Sequence, residues 1–373
     1  MNPFNYANIV KDEHFYNRET EQKHLTDVVS GGNNIVLYAP RRYGKSSLIA
    51  KTLDELKQEG FGVIYLDLMT IISIDQFIQV YSNKIFQSLK NPTKKIIKKF
   101  AEYIRGIYPS LNVDKFGNFS LALQIVEGSE KISTLTDTID LPEKFANDKK
   151  RWIVAFDEFQ EISSFSGLNL ENILRSCIQH HQNVSYIFSG SRTHLLKNMF
   201  NNKKRPFYNS ASLMKLGKID TKKSIKYLTD RFKKSGFHIS KENAEHLIQK
   251  AGNIPYYIQF LAAEIWQDLI NNNKAINEDM INNAVDKILQ MKSDYYWEIL
   301  NQNTNTQKKV FTALANDEKD LYSGNVIRKY DIQSPATVQI SVKKFIEKGW
   351  IEKYNNKIEF ADPFLKLFIN KIL

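Results

Sequence analysis

Two short stretches of the chain hold residue types suited to phosphate chemistry. The first is Ala39-Pro40-Arg41-Arg42-Tyr43-Gly44-Lys45-Ser46. It follows the phosphate-loop pattern G-x-x-x-x-G-K-[ST], except that Ala39 stands where the first glycine is expected. Such a loop works by converging backbone N–H groups on phosphate oxygens at a helix N-terminus. Gly44 lets the backbone approach closely, Lys45 places a point charge on the β- and γ-phosphates, and the Ser46 hydroxyl can ligate Mg²⁺. The stretch Arg42, Tyr43, Gly44, Lys45, Ser46 and Ser47 is therefore the candidate nucleotide-binding segment. The second stretch is Trp152-Ile153-Val154-Ala155-Phe156-Asp157-Glu158, five apolar residues ending in two carboxylates. Asp157 there can hold Mg²⁺ together with Ser46, and Glu158 can orient and deprotonate an attacking water. Lys45, Asp157 and Glu158 are the candidate catalytic set, with ATP and Mg²⁺ the implied cofactors. A third, weaker candidate is Ser189 or Ser191, at the end of Ser185-Tyr186-Ile187-Phe188-Ser189, with Arg192 nearby.

These groups need elements that deliver them to one edge. Asn34 to Tyr38 reads as a short buried strand, Ser46 to Gln58 as a helix, and Gly62 to Leu68 as a second strand. A helix over Asn17 to Val29, capped by Asn17, is expected ahead of them. Strands alternating with helices predict a parallel sheet covered on both faces. In such a sheet the ends of buried strands reach the edge where a phosphate loop sits. Residues 74–150 read as helix-rich, with Ile74–Leu89 and Pro92–Ile107 helical and Ser110–Ser133 ambiguous. No internal repeat is present. After Gly217 the pattern becomes all-helical, and three short helices and a hairpin follow Asn301–Thr306. The expected domains are 1–218, an α/β core; 219–301, a helical lid; and 302–373, a winged helix-turn-helix. In its third helix, Val338, Val342, Phe345 and Ile346 are expected to face inward, and Gln333, Ser334, Thr337, Ser341 and Lys344 outward.

Composition sets the outer limits. The chain has 373 residues, 52 Lys+Arg against 41 Asp+Glu, and a net charge of +11. The excess points to a polyanionic partner. Residues 302–373 carry 12 basic and 8 acidic residues, and 219–301 carry 11 of each. Most of the surplus therefore lies in the first 218 residues, part of it in the phosphate loop and part in Lys94-Lys95-Lys98-Lys99, read as a solvated helix face. One cysteine, Cys177, excludes an intrachain disulfide and a cysteine-based zinc site. No apolar run of about 18 residues predicts a membrane span. The N-terminus lacks the features of a secretory signal, and a cytoplasmic location is expected.

The ordered set of motifs resembles the AAA+-related, archaeal-type ATPases with a C-terminal winged helix, close to the STAND signal-transduction class. The resemblance is carried by Asn2-Pro3-Phe4, Phe15-Tyr16-Asn17-Arg18-Glu19, the Ala39–Ser46 loop, Phe156-Asp157-Glu158, Phe188-Ser189-Gly190-Ser191, Gly252-Asn253-Ile254-Pro255 and Ala361-Asp362-Pro363-Phe364. It implies a P-loop NTPase fold of the AAA+ type. It also implies that Asn17, Arg18 and Glu19 border the adenine, and that the Gly252–Pro255 turn faces the nucleotide. Many relatives carry Tyr-Gly-Arg after the third core strand, where this chain has Phe207-Tyr208-Asn209-Ser210. No arginine finger is found at that position, which fits slow hydrolysis. The function implied is an ATPase switch coupled to a winged helix that binds a partner, with an oligomer on ATP binding as one outcome. The alternatives are an ATP-regulated initiator or regulator that binds double-stranded DNA, and a nucleotide-bound scaffold without turnover.

Overall fold

The computed structural model describes the chain except residues 1, 11–14, 90–93, 106, 114–118, 126–130, 148–149, 166–168, 273–274 and 355–356. The expected Asn355-Asn356 turn and parts of the polar linkers at 147–150 and 271–273 lie outside the described residues. The chain divides into two compact units. One comprises Arg18–Ala39 and Lys45–Gly217, the other Met1–Asn17, Pro40–Gly44 and Lys218–Leu373.

The first unit is built on a parallel five-stranded sheet. Its strands are β1 (Ile35–Tyr38), β2 (Gly62–Asp67), β5 (Trp152–Asp157), β6 (Val184–Gly190) and β7 (Ser212–Lys215), in the order β2-β5-β6-β1-β7. Between β2 and β5 the chain forms an antiparallel hairpin, β3 (Ile107–Val113) and β4 (Phe119–Ile125), with Leu111 opposite Leu121. Within the ambiguous stretch 110–133 the described residues are strand in this hairpin and the start of helix Lys131–Ile139, and the expected helix at Pro92–Ile107 ends at Tyr103, with Ile107 already in β3. β5 and β6 are buried at every position, as apolar runs in central parallel strands must be. Their aromatic residues continue into a ring cluster, Phe156, Phe159, Phe188, Phe200 and Phe207. β7 was not expected. Only Met214 in it is buried, so the sequence offers no apolar run there. The register places Asp67 beside Asp157 and Tyr65 beside Ala155, so that all four lie on one face. Cys177 is buried and unpaired.

The second unit is helical up to Asn301. Its helices are Thr221–Lys234, Lys241–Lys250, Pro255–Asn272, Glu278–Met291 and Ser293–Asn301. The N-terminal arm packs with them. Phe4 is buried against Tyr227 and Phe232, and Asn2 donates to the Ala263 carbonyl. An arm of apolar and aromatic residues gains more from this helical surface than from solvent, so the first 17 residues group here and not with the sheet. The winged helix follows with helices Asn305–Ala315, Gly324–Lys329 and Pro335–Glu347. It continues through the hairpin β8 (Ile351–Tyr354) and β9 (Lys357–Phe360), and closes with helix Pro363–Ile372. Thr304 and Gln307 form a capping box at its start, and Phe311 stacks on Phe345 in its core.

The outward face of helix Pro335–Glu347 corrects the expectation. Ser341 is buried, with its hydroxyl bonded to the Thr337 carbonyl, and Lys344 is tied to the Gln302 carbonyl and the Gln307 side chain. The exposed residues are Pro335, Ala336, Gln339, Ile340, Lys343 and Glu347. Ser341 satisfies its hydroxyl within the helix, so it can be buried, and the stripe turns by about one position. Lys98 and Lys99 are exposed, as a solvated face requires. Among the described residues no helix is long and apolar enough to cross a membrane.

Candidate functional site

The phosphate loop joins β1 to helix Lys45–Gln58. Ala39 is fully buried and does not take the left-handed conformation, so its position does not need the glycine of the general pattern. The left-handed positions are Arg42, with φ of 73°, and Gly44, with φ of 87°. A Cβ on Gly44 would meet nothing within 4 Å, so it is the dihedral and not crowding that requires glycine there. The helix then starts at Lys45, so a helix N-terminus, where backbone amides gather, opens directly from the loop. That is the donor array an anion needs. Lys45 is 5% exposed and its Nζ donates to the Ala39 carbonyl at 2.9 Å, back across the loop.

β5 brings its two carboxylates to the same edge. The Ser46 hydroxyl donates to Asp157 Oδ2 at 2.7 Å, and the Tyr65 hydroxyl donates to the same oxygen at 2.6 Å. Burial alone would raise the Asp157 pKa. The donors Ser46 and Tyr65, with the nearby Ser189 hydroxyl and the Lys45 charge, outweigh it and hold the carboxyl below its ordinary value. Ser189 is fully buried and makes no hydrogen bond of ordinary geometry, yet its hydroxyl lies against this carboxylate. Asp67, the neighbour of Asp157 in register, is shifted the other way. Burial raises its pKa, and the Asp157 and Glu158 charges add to this against one backbone bond from Met69.

Glu158 follows in the left-handed conformation, φ 51° and ψ 45°. Its Oε2 receives three donors: Gln160 Nε2 at 2.6 Å, Ser191 N at 3.0 Å and Ser191 Oγ at 2.8 Å. Of the two serines in the third motif, Ser189 thus lies at Asp157 and Ser191 at Glu158. Sequence reasoning missed Tyr65 and Gln160. Tyr65 sits two residues before Asp67 on an alternating strand, a signal that could have placed it on the site's face. Nothing in the sequence singled out Gln160.

Ser46 and Asp157 supply one hydroxyl and one carboxylate, which suits a Mg²⁺ ion that keeps waters and takes its remaining ligands from phosphates. Among the described residues no group of three or more His, Cys, Asp or Glu side chains could hold a metal by itself. The donor set therefore fits a metal that arrives with a nucleotide.

The side chains of Arg42 and Tyr43 have other partners. The Arg42 guanidinium lies 4.7 Å from the ring centre of Tyr256 and 4.9 Å from that of Tyr257. It also donates to the Tyr257 hydroxyl, and to Asp362 Oδ2 at 3.5 Å. Asp362 in turn accepts from Lys292 and from the Tyr296 hydroxyl at 3.0 Å, and its other oxygen caps helix Pro363–Ile372 at the Phe364 amide. The Tyr43 hydroxyl, on a side chain 1% exposed, donates to Glu352 of β8 at 3.2 Å.

The remaining predicted positions fall as follows. Asn17 and Arg18 both have positive φ, and Arg18, not Asn17, occupies the cap of helix Glu19–Ser30 without a capping side-chain bond. The Arg18 side chain is buried, paired with Glu21 at 2.7 Å and bonded to the Gly217 carbonyl at 2.6 Å, while Glu19 is exposed. Pro255 opens its helix after Gly252 and Asn253, both left-handed, and a Cβ on Gly252 would come within 3.1 Å of the Pro363 ring. Arg205 is held by both oxygens of Glu171. Arg192 is 53% exposed, 3.6 Å from Glu161.

A parallel sheet with a phosphate loop, an acidic strand end beside it and a C-terminal winged helix defines an α/β fold of the P-loop NTPase kind joined to a winged helix. The chain belongs to the family described as "ATPase domain predominantly from Archaea", whose profile matches residues 15–261. A second family, "Probable winged helix domain", matches residues 294–371. Among solved structures, the Walker-type ATPase of Pyrococcus abyssi matches with a TM-score of 0.67 at 19% identity, covering 99% of both chains. The ORC2 protein of Aeropyrum pernix, in its ADPNP–ADP complexes, matches with a TM-score of 0.56 at 12% identity, covering 99% of this chain and 98% of that one. The ORC1 protein of the same organism, in complex with DNA, gives 0.52 at 10% identity, covering 97% and 94%. A search of curated proteins found no match.

Proposed function

We propose that the chain hydrolyses ATP to ADP and phosphate with Mg²⁺, slowly, and that the cycle acts as a switch on the winged helix. The observation that carries the switch is the pair of bonds from the phosphate loop, Arg42 to Asp362 and Tyr43 to Glu352. A loop that must wrap phosphates is thereby tied to two carboxylates of the partner-binding domain.

In this reading the helix amides and Lys45 bind the β- and γ-phosphates. Ser46 and Asp157 would hold the metal, which would supply positive charge against the phosphates. Glu158 orients the attacking water and takes its proton. Its three hydrogen bonds all go to Oε2 and fix the orientation of the carboxylate. With Arg205 committed to Glu171, no arginine finger is supplied by that side chain, and such a finger is worth roughly 10³–10⁵ in rate. The commitment of Arg205 favours slow turnover.

The exposed face of helix Pro335–Glu347 is centred on Ile340, 66% exposed, with Lys343 next to Glu347 at 4.0 Å. An apolar centre with self-paired charge favours a protein partner over a polyanion. Double-stranded DNA is the alternative, and a titration across salt separates the two. A duplex contacted at Z phosphates gives a log–log slope of about −0.9Z, whereas a protein-binding face gives no duplex binding even at low salt.

Calorimetry and phosphate release test the ATPase reading. Lys45→Ala should abolish ATP binding, and Glu158→Gln should keep binding and stop phosphate release. ATP bound equally well by the Lys45 variant would overturn it.

A further inference from the structure

β2 is an edge strand whose residues alternate between the two faces of the sheet. Tyr65 and Asp67 share the face that carries Asp157. The residue beside Tyr65 in register is Ala155, whose small side chain leaves room for the ring to lean along the sheet. The hydroxyl thereby reaches Asp157 Oδ2 at 2.6 Å. Phenylalanine would fill the same space, so packing alone does not explain a tyrosine here.

We propose that Tyr65 is the positioning residue for Asp157, and that it fixes this carboxylate for the divalent metal of the nucleotide complex. The proposal rests on the metal–nucleotide reading above. Asp157 has three bonds to orient it. Oδ1 accepts from the Glu158 amide at 3.0 Å, and Oδ2 accepts from Ser46 and Tyr65. The Glu158 amide is local to the carboxylate's own turn. Ser46 belongs to the phosphate-loop helix and must itself meet the metal. Tyr65 comes from a separate strand of the sheet, and its hydroxyl donates to the carboxylate itself. Its bond ties the carboxylate to β2 and not to the loop. Partners of this outer kind commonly set metal affinity by fixing a ligand's orientation.

The test is Tyr65→Phe in the full chain, which removes one oxygen. ADP binding is measured by calorimetry with chelator present. Mn²⁺ binding to the ADP-loaded protein is then measured from the electron-paramagnetic-resonance signal of free Mn²⁺. The expected result is unchanged metal-free ADP affinity, with Mn²⁺ affinity reduced by about 10- to 100-fold. Mn²⁺ affinity within about twofold of the unmodified chain overturns the role of Tyr65 while the nucleotide reading stands. An equal loss of metal-free ADP affinity also overturns it, because Tyr65 is then a structural residue. If the unmodified chain binds no ADP, the nucleotide reading fails and this proposal fails with it.

Discussion

Asp362→Asn is the most informative single change outside the catalytic edge. The carboxylate stands among Arg42, Lys292, Tyr296 and the Phe364 amide. Asparagine keeps an acceptor for the helix cap, since Asn caps about as well as Asp. What it removes is charge. The Arg42 pair, at 3.5 Å with Arg42 38% exposed, is of the surface kind and contributes up to about 1 kcal/mol. Lys292 is different. Its side chain is 20% exposed and that of Asp362 12%. Leaving one member of a fully buried pair alone costs about 3–5 kcal/mol, and the residual exposure here reduces that to about 2–3. The expected loss is therefore about 2–4 kcal/mol. It should be local to the junction of helices Ser293–Asn301 and Pro363–Ile372. Hydrogen exchange of the amides at 363–372 reads it, as faster exchange in the variant. A pH series adds a second signature. Burial already lowers the Lys292 pKa, against the opposing pull of Asp362, and Arg42 lowers it further. Without Asp362 it falls more. A lysine whose folded pKa lies below its unfolded one costs stability while it must stay charged, and that cost disappears as pH rises through the folded value. The deficit of the variant should thus shrink between neutral pH and about 10. Unchanged protection at 363–372, or a deficit that grows with pH, would refute the reasoning.

Two further outcomes follow from the site and the sheet. Ser191→Ala removes one of three donors to Glu158, so it should alter kcat of phosphate release and leave ATP affinity in calorimetry nearly unchanged. A change confined to affinity would place Ser191 at the nucleotide instead. Gly62→Ala puts a Cβ 2.3 Å from the indole of the fully buried Trp152, and should lower stability by about 1–3 kcal/mol in denaturant unfolding. A neutral effect would mean that β2 moves freely against β5.

The phosphate loop and the Asp157–Glu158 strand end were legible because each couples a local backbone pattern to a chemical one. β5 and β6 are continuous apolar runs, and only a central parallel strand buries such a run on both faces. β7 escaped notice for the opposite reason, since a short edge strand with one buried residue carries no pattern. The β3–β4 hairpin, interrupted by polar residues, could not be told from helix by periodicity. On helix Pro335–Glu347 the period was right, but the face was misjudged by about one position, because a buried serine that bonds its own helix looks polar in sequence.

What the sequence determined by itself was local: a strand, a loop with Gly44 and Lys45, a helix to follow, and an apolar strand ending in two carboxylates. These depend on dihedral preference, hydrophobic periodicity and residue chemistry within a few positions. Which donors meet which carboxylate was decided only by tertiary structure. Tyr65 reaches Asp157 because β2 pairs with β5 in one register, and a slip of one residue would turn its ring to the other face. Ser191 holds Glu158, and Asp362 holds Arg42, across 33 and 320 residues of chain. Contacts at such separation follow from how whole elements pack, and no local pattern encodes them.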